Sequence, residues 1–279
     1  MNVLLSLLSN LMRLLPWSAL PSLGCWLGDL AYKHQPQKRS TLLHHFKMAQ
    51  FEGDHEQLCR KVFQNYAQYY LEVLKPSSPA WIKERLEIRG KKHFDEALSK
   101  GKGVIVVTAH LGNWDLAGSG LSLLNPNVAA VVEVLKSPGA FKWFKHSREK
   151  LGMTVIGLGK SAGKRCLQHL KKGEVLAIVG DRDLAGNGLM LSFMGQVASI
   201  PKGPAQLALR SGAAIVPAYF VRSGKLSFVG EFLPPLKVKT GKDFDNDVHA
   251  ITHELARNLE QMIRMHPDQW CMLQPITHG

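Results

Sequence analysis

Eleven leucines crowd the first thirty residues, with Trp17 and Trp26 among them, and the uncharged stretches Met1–Met12 and Leu14–Gly28 are separated only by Arg13. Pro16 and Pro21 interrupt the second stretch. Neither reaches the ~20 apolar residues a spanning helix needs. No Lys or Arg precedes the apolar region and no A-x-A site follows it, which argues against a secretory signal. The pattern predicts an apolar helical hairpin lying in a membrane interface, with its Trp rings at headgroup depth. Helices that merely cap the domain core are the alternative, and a single tilted span is less favoured. Arg13, Lys33, Lys38, Arg39 and Lys47 face one acid, Asp29, in the first fifty residues. That balance suits an anionic surface.

Farther on, Leu58, Val62, Phe63, Tyr66, Tyr70 and Val73 recur at helical spacing and predict a helix over Gln57–Leu74. Pro76 and Pro79 then break the pattern, which sets a boundary between an N-terminal helical region, 1–78, and a main domain, 79–279. From Leu86 short β-branched runs alternate with helical stretches. Strands are expected at Val104–Thr108, Val128–Val134, Thr154–Ile156, Val175–Val179 and Ala214–Val221, with an edge strand at Leu226–Val229. Helices are expected at Trp114–Leu123, Gly139–Leu151, Ser161–Leu170, Gly203–Arg210 and, on the spacing of Val248, Ile251, Leu255, Leu259 and Ile263, at the end of the chain. Continuous apolar strands between amphipathic helices define an α/β fold with a mainly parallel sheet covered on both faces. Ligands in such sheets sit beyond the carboxyl ends of the strands. That places candidate chemistry at Thr108–Asp115, Glu133–Lys136, Gly157–Gly163 and Gly180–Gly188.

Composition narrows the partners. The chain has 279 residues, with 35 Lys and Arg against 22 Asp and Glu, a net charge of +13. An acidic partner follows: nucleic acid, anionic lipid, a phosphorylated substrate or an acidic carrier protein. Between Lys136 and Lys172 there are ten basic residues and one acid, Glu149, with Phe141, Trp143 and Phe144 interleaved. Arg148 is the candidate anion ligand there, because a guanidinium grips phosphate bidentately. The four cysteines, Cys25, Cys59, Cys166 and Cys271, form no C-x-x-C pair, so a zinc ribbon and a disulfide framework are excluded and a reducing compartment is expected.

The segment from Val104 to Asp115 carries the most chemistry. A buried strand ends in His110, a Gly-Asn turn follows, and a helix begins near Trp114. The five-residue separation lets Asp115 accept a hydrogen bond from one ring nitrogen of His110 and leaves the other as a base. Such a pair suits removal of a proton from a hydroxyl that attacks an activated acyl group. An N-capping Asp beside a backbone-bonded His is the competing reading. Asp181, Arg182 and Asp183 follow the strand Val175–Val179 on the same sheet edge. They are expected either to fix an acceptor headgroup or orient His110, or to form a local turn capped by Gly186 and Gly188; of the two acids, Asp181 is preferred as the neighbour of His110. Gly157–Arg165 fails the phosphate-loop spacing, and Ala250 stands where a metal-binding H-E-x-x-H at His249 and His253 needs Glu. No metal or other cofactor is implied.

These residues carry a resemblance. His110-Leu-Gly-Asn113-Trp-Asp115 resembles the H-x4-D signature of glycerolipid acyltransferases, in the H-x-G-N-W-[DE] form typical of the bacterial lipid A biosynthesis acyltransferase family, which includes phosphatidylinositol mannoside acyltransferases. Glu133 after the next strand, Arg148–Gly152, Gly180–Asp183, Phe193–Gly195, Pro201–Pro204 and His266–Trp270 are similar to later motifs of that family, in order and over nearly the whole chain. The resemblance implies transfer of a fatty acyl group from a thioester, on acyl carrier protein or coenzyme A, to a hydroxyl of a membrane glycolipid of lipid A precursor type. A lysophospholipid or a mannosylated lipid is the alternative acceptor. His110 would be the base, Asp115 its orienting acid, and Asn113, Glu133, Arg148, Asp181, Arg182 and Asp183 substrate-binding residues. It also implies a place on the cytoplasmic face of a bacterial inner membrane, peripheral or monotopic, and no nucleic-acid partner. A non-enzymatic basic module that binds membrane or nucleic acid is the distant alternative; it leaves the His110 segment without a role.

Overall fold

The computed structural model describes residues 2–237, 241 and 243–276. Met1, the first residue of the leucine-rich region, lies outside them. Four helices come first: α1 (Asn2–Leu14), α2 (Leu20–His34), α3 (Pro36–Met48) and α4 (His55–Leu74). Asp54 starts α4 by accepting from the backbone N–H groups of Glu56 and Gln57. Helix α2 lies against α4 at a close crossing that Gly28 permits; a Cβ there would run into the α4 backbone at Gln64. Arg60 closes the same interface with two bonds to Asp29 at 2.6 Å. The buried ammonium of Lys75 donates to the carbonyls of Met12 (2.8 Å) and Leu15 (2.6 Å) at the end of α1. Met12 O also accepts from Leu15 N at 3.3 Å; carbonyls at a helix C-terminus lack the full intrahelical set of partners, so Lys75 is a C-terminal cap that seats α1.

The outer face of α1 is left bare, with Leu4, Leu7, Leu8, Leu11 and Leu14 all exposed. Trp26 on α2 is exposed too, whereas Trp17 is half-buried and stacks on Trp81 at 3.9 Å. Pairing with a second aromatic gives Trp17 a partner inside the fold. Among the described residues no helix is long and apolar enough to cross a membrane.

The remainder alternates strand and helix. After the short α5 (Pro79–Lys83), it runs β1 (Leu86–Arg89), α6 (Lys91–Leu98), β2 (Val104–Thr108), α7 (Trp114–Leu124), β3 (Val128–Val132), α8 (Pro138–Lys150), β4 (Met153–Gly157), α9 (Ala162–Lys171) and β5 (Val175–Val179). It continues through β6 (Leu189–Phe193), β7 (Gln196–Ile200), α10 (Gly203–Ser211), β8 (Ala214–Arg222), β9 (Phe228–Phe232) and α11 (Phe244–Met265). Seven strands form one sheet in the order β1-β9-β8-β2-β5-β3-β4, parallel except where β8 meets β9. Strand β2 lies between β5 and β8, so both its edges are hydrogen-bonded. Ile105 and Val107 point into the core shared with α9 and α11, while Val104 and Val106 join Phe94 of α6 and Leu121 of α7 on the other face. This is the period-two alternation of a strand buried on both sides.

Three expectations change. The strand expected near Leu226–Val229 runs Phe228–Phe232 and is not an edge, because β1 pairs outside it. Strand β3 ends at Val132, leaving Val134 exposed beyond it. The β6–β7 hairpin, which the helix-and-strand alternation does not announce, forms a separate two-stranded sheet.

Candidate active site

At the carboxyl end of β2 the chain reverses sharply. Gly112 adopts φ +64°, and a Cβ there would collide with the Phe220 carbonyl oxygen. Only glycine fits such a left-handed position pressed against backbone. Asn113 then caps α7 through Oδ1, which accepts from Leu116 N at 3.0 Å, while its Nδ2 donates to the buried Glu72 of α4 at 2.7 Å. Asn113 is thus buried scaffold and not the substrate ligand expected from its place in the motif. Glu72 also receives Arg222 of β8, so α4, the turn and the sheet are tied at one carboxylate.

The imidazole of His110 faces Asp181, not Asp115. Its Nδ1 lies 2.7 Å from Asp181 Oδ1, and its backbone N–H donates to Oδ2 at 2.9 Å. Asp181 is buried, and the indole Nε1–H of Trp270 donates to the same Oδ2 at 3.0 Å. Burial pushes the Asp181 carboxyl up, but His110 and Trp270 together outweigh it and hold the group below the usual carboxylate range. An ionised Asp181 fixes the proton on Nδ1, which leaves the lone pair on Nε2. That nitrogen has no protein partner among the described residues, and its ring lines the main cavity.

Asp115 is occupied elsewhere. On the first turn of α7, its Oδ1 accepts from Arg148 Nε at 2.5 Å and its Oδ2 from Tyr69 Oη at 2.6 Å and Arg148 Nη2 at 3.2 Å. Both carboxylate oxygens are therefore engaged, and the expected bond to His110 does not form. Arg148 is committed to the same pair, which corrects its expected role as a free anion ligand. Burial disfavours the Arg148 charge, yet Asp115 raises its pKa above the usual value. Burial first, and then the Asp115 charge, push the Tyr69 phenol far up, so it donates as a neutral hydroxyl.

The acid triplet after β5 divides. Asp181 joins His110. Asp183 lines the cavity without bonding His110; it accepts from the backbone N–H groups of Ala185, Gly186 and Gly188 and from Ser199, so it shapes its own loop. Arg182 stands 3.8 Å from Glu133 at the cavity rim.

The cavity encloses about 830 Å³, and all four strand-end segments singled out in the sequence contribute to its lining. One arm runs beneath α7 and is walled by Val106, Leu121, Ala130, Met153, Ala177 and Phe232, with no polar side chain among these six. The other reaches between α9 and α10, where Leu167 and Leu207 are joined by Lys202, Gln206 and Arg210. His110 lines the cavity just beyond the carboxyl end of β2.

Residues 3–276 match the model for bacterial lipid A biosynthesis acyltransferases. The chain belongs to that family. It is 34% identical over 221 residues to a phosphatidylinositol mannoside acyltransferase of Mycobacterium tuberculosis, covering 76% of this chain and 67% of the relative. It is 24% identical over 275 residues to the lipid A biosynthesis lauroyltransferase of Escherichia coli, covering 93% and 85%. A lipid A biosynthesis acyltransferase of Haemophilus influenzae is 22% identical over 264 residues, covering 89% and 77%. The protein is therefore an O-acyltransferase of glycolipid biosynthesis, with an acyl donor and a glycolipid acceptor, and the non-enzymatic alternative is set aside.

Tyr69, Glu72, Arg222 and Trp270 complete the site but were not singled out as site residues from the sequence. Tyr69 lies on the predicted α4, three residues from Tyr66, and Trp270 within the motif at the end of the chain. Only Trp270 had a signal beyond helical spacing.

Proposed function

We propose that the protein moves a fatty acyl group from a thioester of acyl carrier protein or coenzyme A to a sugar hydroxyl of a membrane glycolipid, with His110 as the general base. The observation that carries this reading is the open Nε2 of an imidazole whose Nδ1 is fixed by a buried carboxylate. The acceptor O–H gives its proton to Nε2 as its oxygen attacks the thioester carbonyl. The tetrahedral intermediate then collapses to the ester, the C–S bond breaks, and the imidazolium returns the proton to the departing thiolate. No covalent acyl-enzyme is needed. Asp181 holds the reactive tautomer and stabilises the imidazolium; Asp115, with Arg148 and Tyr69, supports the floor of the site.

The arm beneath α7 suits the acyl chain, since an alkyl chain gains about 0.8 kcal/mol per buried methylene. Glu133 and Arg182 at the rim suit an acceptor headgroup. The basic run Lys136–Lys172 suits an acidic carrier or coenzyme A phosphates. Residues 1–78 serve as the membrane-facing part, with the bare α1 leucines lying on an anionic leaflet, at the cytoplasmic face of the inner membrane in this reading, and 79–279 as the transferase proper. A lipid A precursor is the first acceptor reading. A mannosylated lipid is the second, favoured by the higher identity to relatives named for phosphatidylinositol mannosides.

The test follows free thiol release from an acyl-carrier or acyl-coenzyme A donor, with lipid A precursor or mannosylated phosphatidylinositol as acceptor. Thiol release that depends on one acceptor and is lost in His110→Ala supports the reading. Undiminished transfer by His110→Ala overturns it.

A further inference from the structure

The last described residues of the chain do not trail off the fold; they run beside the catalytic turn. Leu111 and Trp270 form an antiparallel bridge. Gly112 N donates to Gln269 O at 2.9 Å, and Cys271 N donates to His110 O at 2.8 Å. The Gln269 side chain pairs with the backbone of Arg222 in both directions, at 2.8 and 2.9 Å, which fastens this segment to the end of β8. Trp270 is fully buried, and its indole is the one side chain besides His110 that donates to Asp181 among the described residues.

We infer that Trp270 is a positioning residue for acyl transfer, acting through Asp181, and that Gln269–Cys271 is a strap that sets the His110 turn and its carboxylate in one register. A carboxylate on a single bonded neighbour can rotate about its Cβ–Cγ bond. Asp181 cannot, because His110 N–H and Trp270 Nε1–H hold Oδ2 while Oδ1 faces the ring. The two Oδ2 donors thus aim Oδ1 at Nδ1, and the strap's bond to His110 O steadies the ring from the other side. Behind Trp270 stands His45 of α3, with ring centroids 5.6 Å apart. Its Nδ1 meets Gln196 at 3.2 Å and its Nε2 meets Gln274 O at 2.9 Å, so the indole rests on a side chain that is itself fixed.

This rests on the reading of His110 as the base, and the test therefore has one arm without catalysis. Trp270→Phe keeps an aromatic ring in the core and removes the N–H donor together with part of the indole's volume, whereas benzothienylalanine at position 270 removes the donor alone. Losing a hydrogen bond to a charged group is expected to lower kcat by roughly 10- to 100-fold, with both KM values within about twofold. In an Asp181→Ala background the same change is expected to have no further effect, because a residue acting through Asp181 loses its route. If Trp270→Phe folds poorly, benzothienylalanine at position 270 preserves the ring shape and still lacks the donor. The second arm reads the His110 tautomer by nitrogen NMR: the full-length protein holds the proton on Nδ1, and either variant shifts the ring toward a mixture. Tautomer loss without transfer in the unmodified protein would keep the positioning of Asp181 and His110 by Trp270 and sink the acyl-transfer reading. Unchanged tautomer, undiminished kcat, or losses that multiply in the Asp181→Ala background would overturn it.

Discussion

His110 and Asp181, 71 residues apart in the chain, meet through two hydrogen bonds, one to the ring and one to the backbone of the histidine. Asp115, five residues away, makes neither. The acid that sets the tautomer therefore lies on β5's loop and not within the H-x4-D motif. Asp181→Asn puts an amide where the carboxylate stood and removes the preference for a proton on Nδ1. Turnover is expected to fall by ~10²–10⁴-fold, as for His110→Ala, with KM little changed. Asp115→Asn is expected to fall short of that loss while lowering the unfolding midpoint. Stopped-flow thiol release and urea unfolding on the two variants separate them; equal kinetic losses would contradict the assignment.

Arg148 and Asp115 form a largely buried ion pair reinforced by Tyr69. Removing one partner of such a pair leaves the other charge without compensation, at a cost of about 3–5 kcal/mol. Arg148→Ala is expected to destabilise the fold by that order and to reduce activity in proportion to the unfolded fraction. Arg148→Lys, which has no planar fork, recovers only part of the loss. Denaturant titrations read both; a variant as stable as the parent would show that the pair contributes nothing.

The sheet was legible in the sequence because its strands are short, apolar and β-branched, and their burial on both faces leaves no competing pattern: β2 and β5 fall on the predicted residues. Asp181 was a preferred neighbour of His110 for the same reason, since parallel strands bring their carboxyl ends together. The β6–β7 hairpin and β1 were not legible. Met190, Ser192 and Val197 face outward with mixed polarity, and a four-residue strand such as Leu86–Arg89 carries too little pattern to separate from a loop. The Asp115 pairing was missed for another reason. Spacing along a loop says which groups can meet, but Tyr69 and Arg148 come from α4 and α8, and only tertiary packing shows that they reach Asp115 first.

Ala130 and Ala177 sit opposite one another on β3 and β5, and their small side chains open the arm beneath α7. Ala177→Phe fills that space. Each methylene displaced removes about 0.8 kcal/mol of burial, or roughly fourfold in affinity. Long acyl donors are therefore expected to lose kcat/KM steeply while short ones keep it. Mass spectrometry of the lipid products across a donor series reads the shift. An unchanged length profile would place the acyl chain outside this arm.

The bare leucines of α1 recur at positions 4, 7, 8, 11 and 14, the spacing of one helical stripe. Leu7→Glu with Leu11→Glu puts two charges on that stripe, away from the Lys75 cap that seats the helix. Flotation with vesicles containing anionic lipid is expected to recover the parent and leave the variant in the aqueous fraction, with melting temperature nearly unchanged. Flotation of both would assign membrane contact to another surface.

His45 supplies a pH dependence whose sign can be worked out. The ring is buried, and burial, against a smaller opposing effect of its bond to Gln274 O, holds its pKa below the ordinary 6.5. The unfolded chain therefore binds a proton there as pH falls below about 6.5, while the native protein does not. Stability is full above that pH and declines on acidification through the window between 6.5 and the lower native value. One proton taken up on unfolding corresponds to a slope of up to roughly 1.4 kcal/mol per pH unit. His266, also held low mainly by burial, adds to it with the same sign. His45→Gln removes the first contribution and leaves the second, so urea midpoints measured from pH 7.5 to 5 should fall less steeply for the variant. Parallel slopes would mean that His45 takes up its proton in the folded protein as readily as in the unfolded chain.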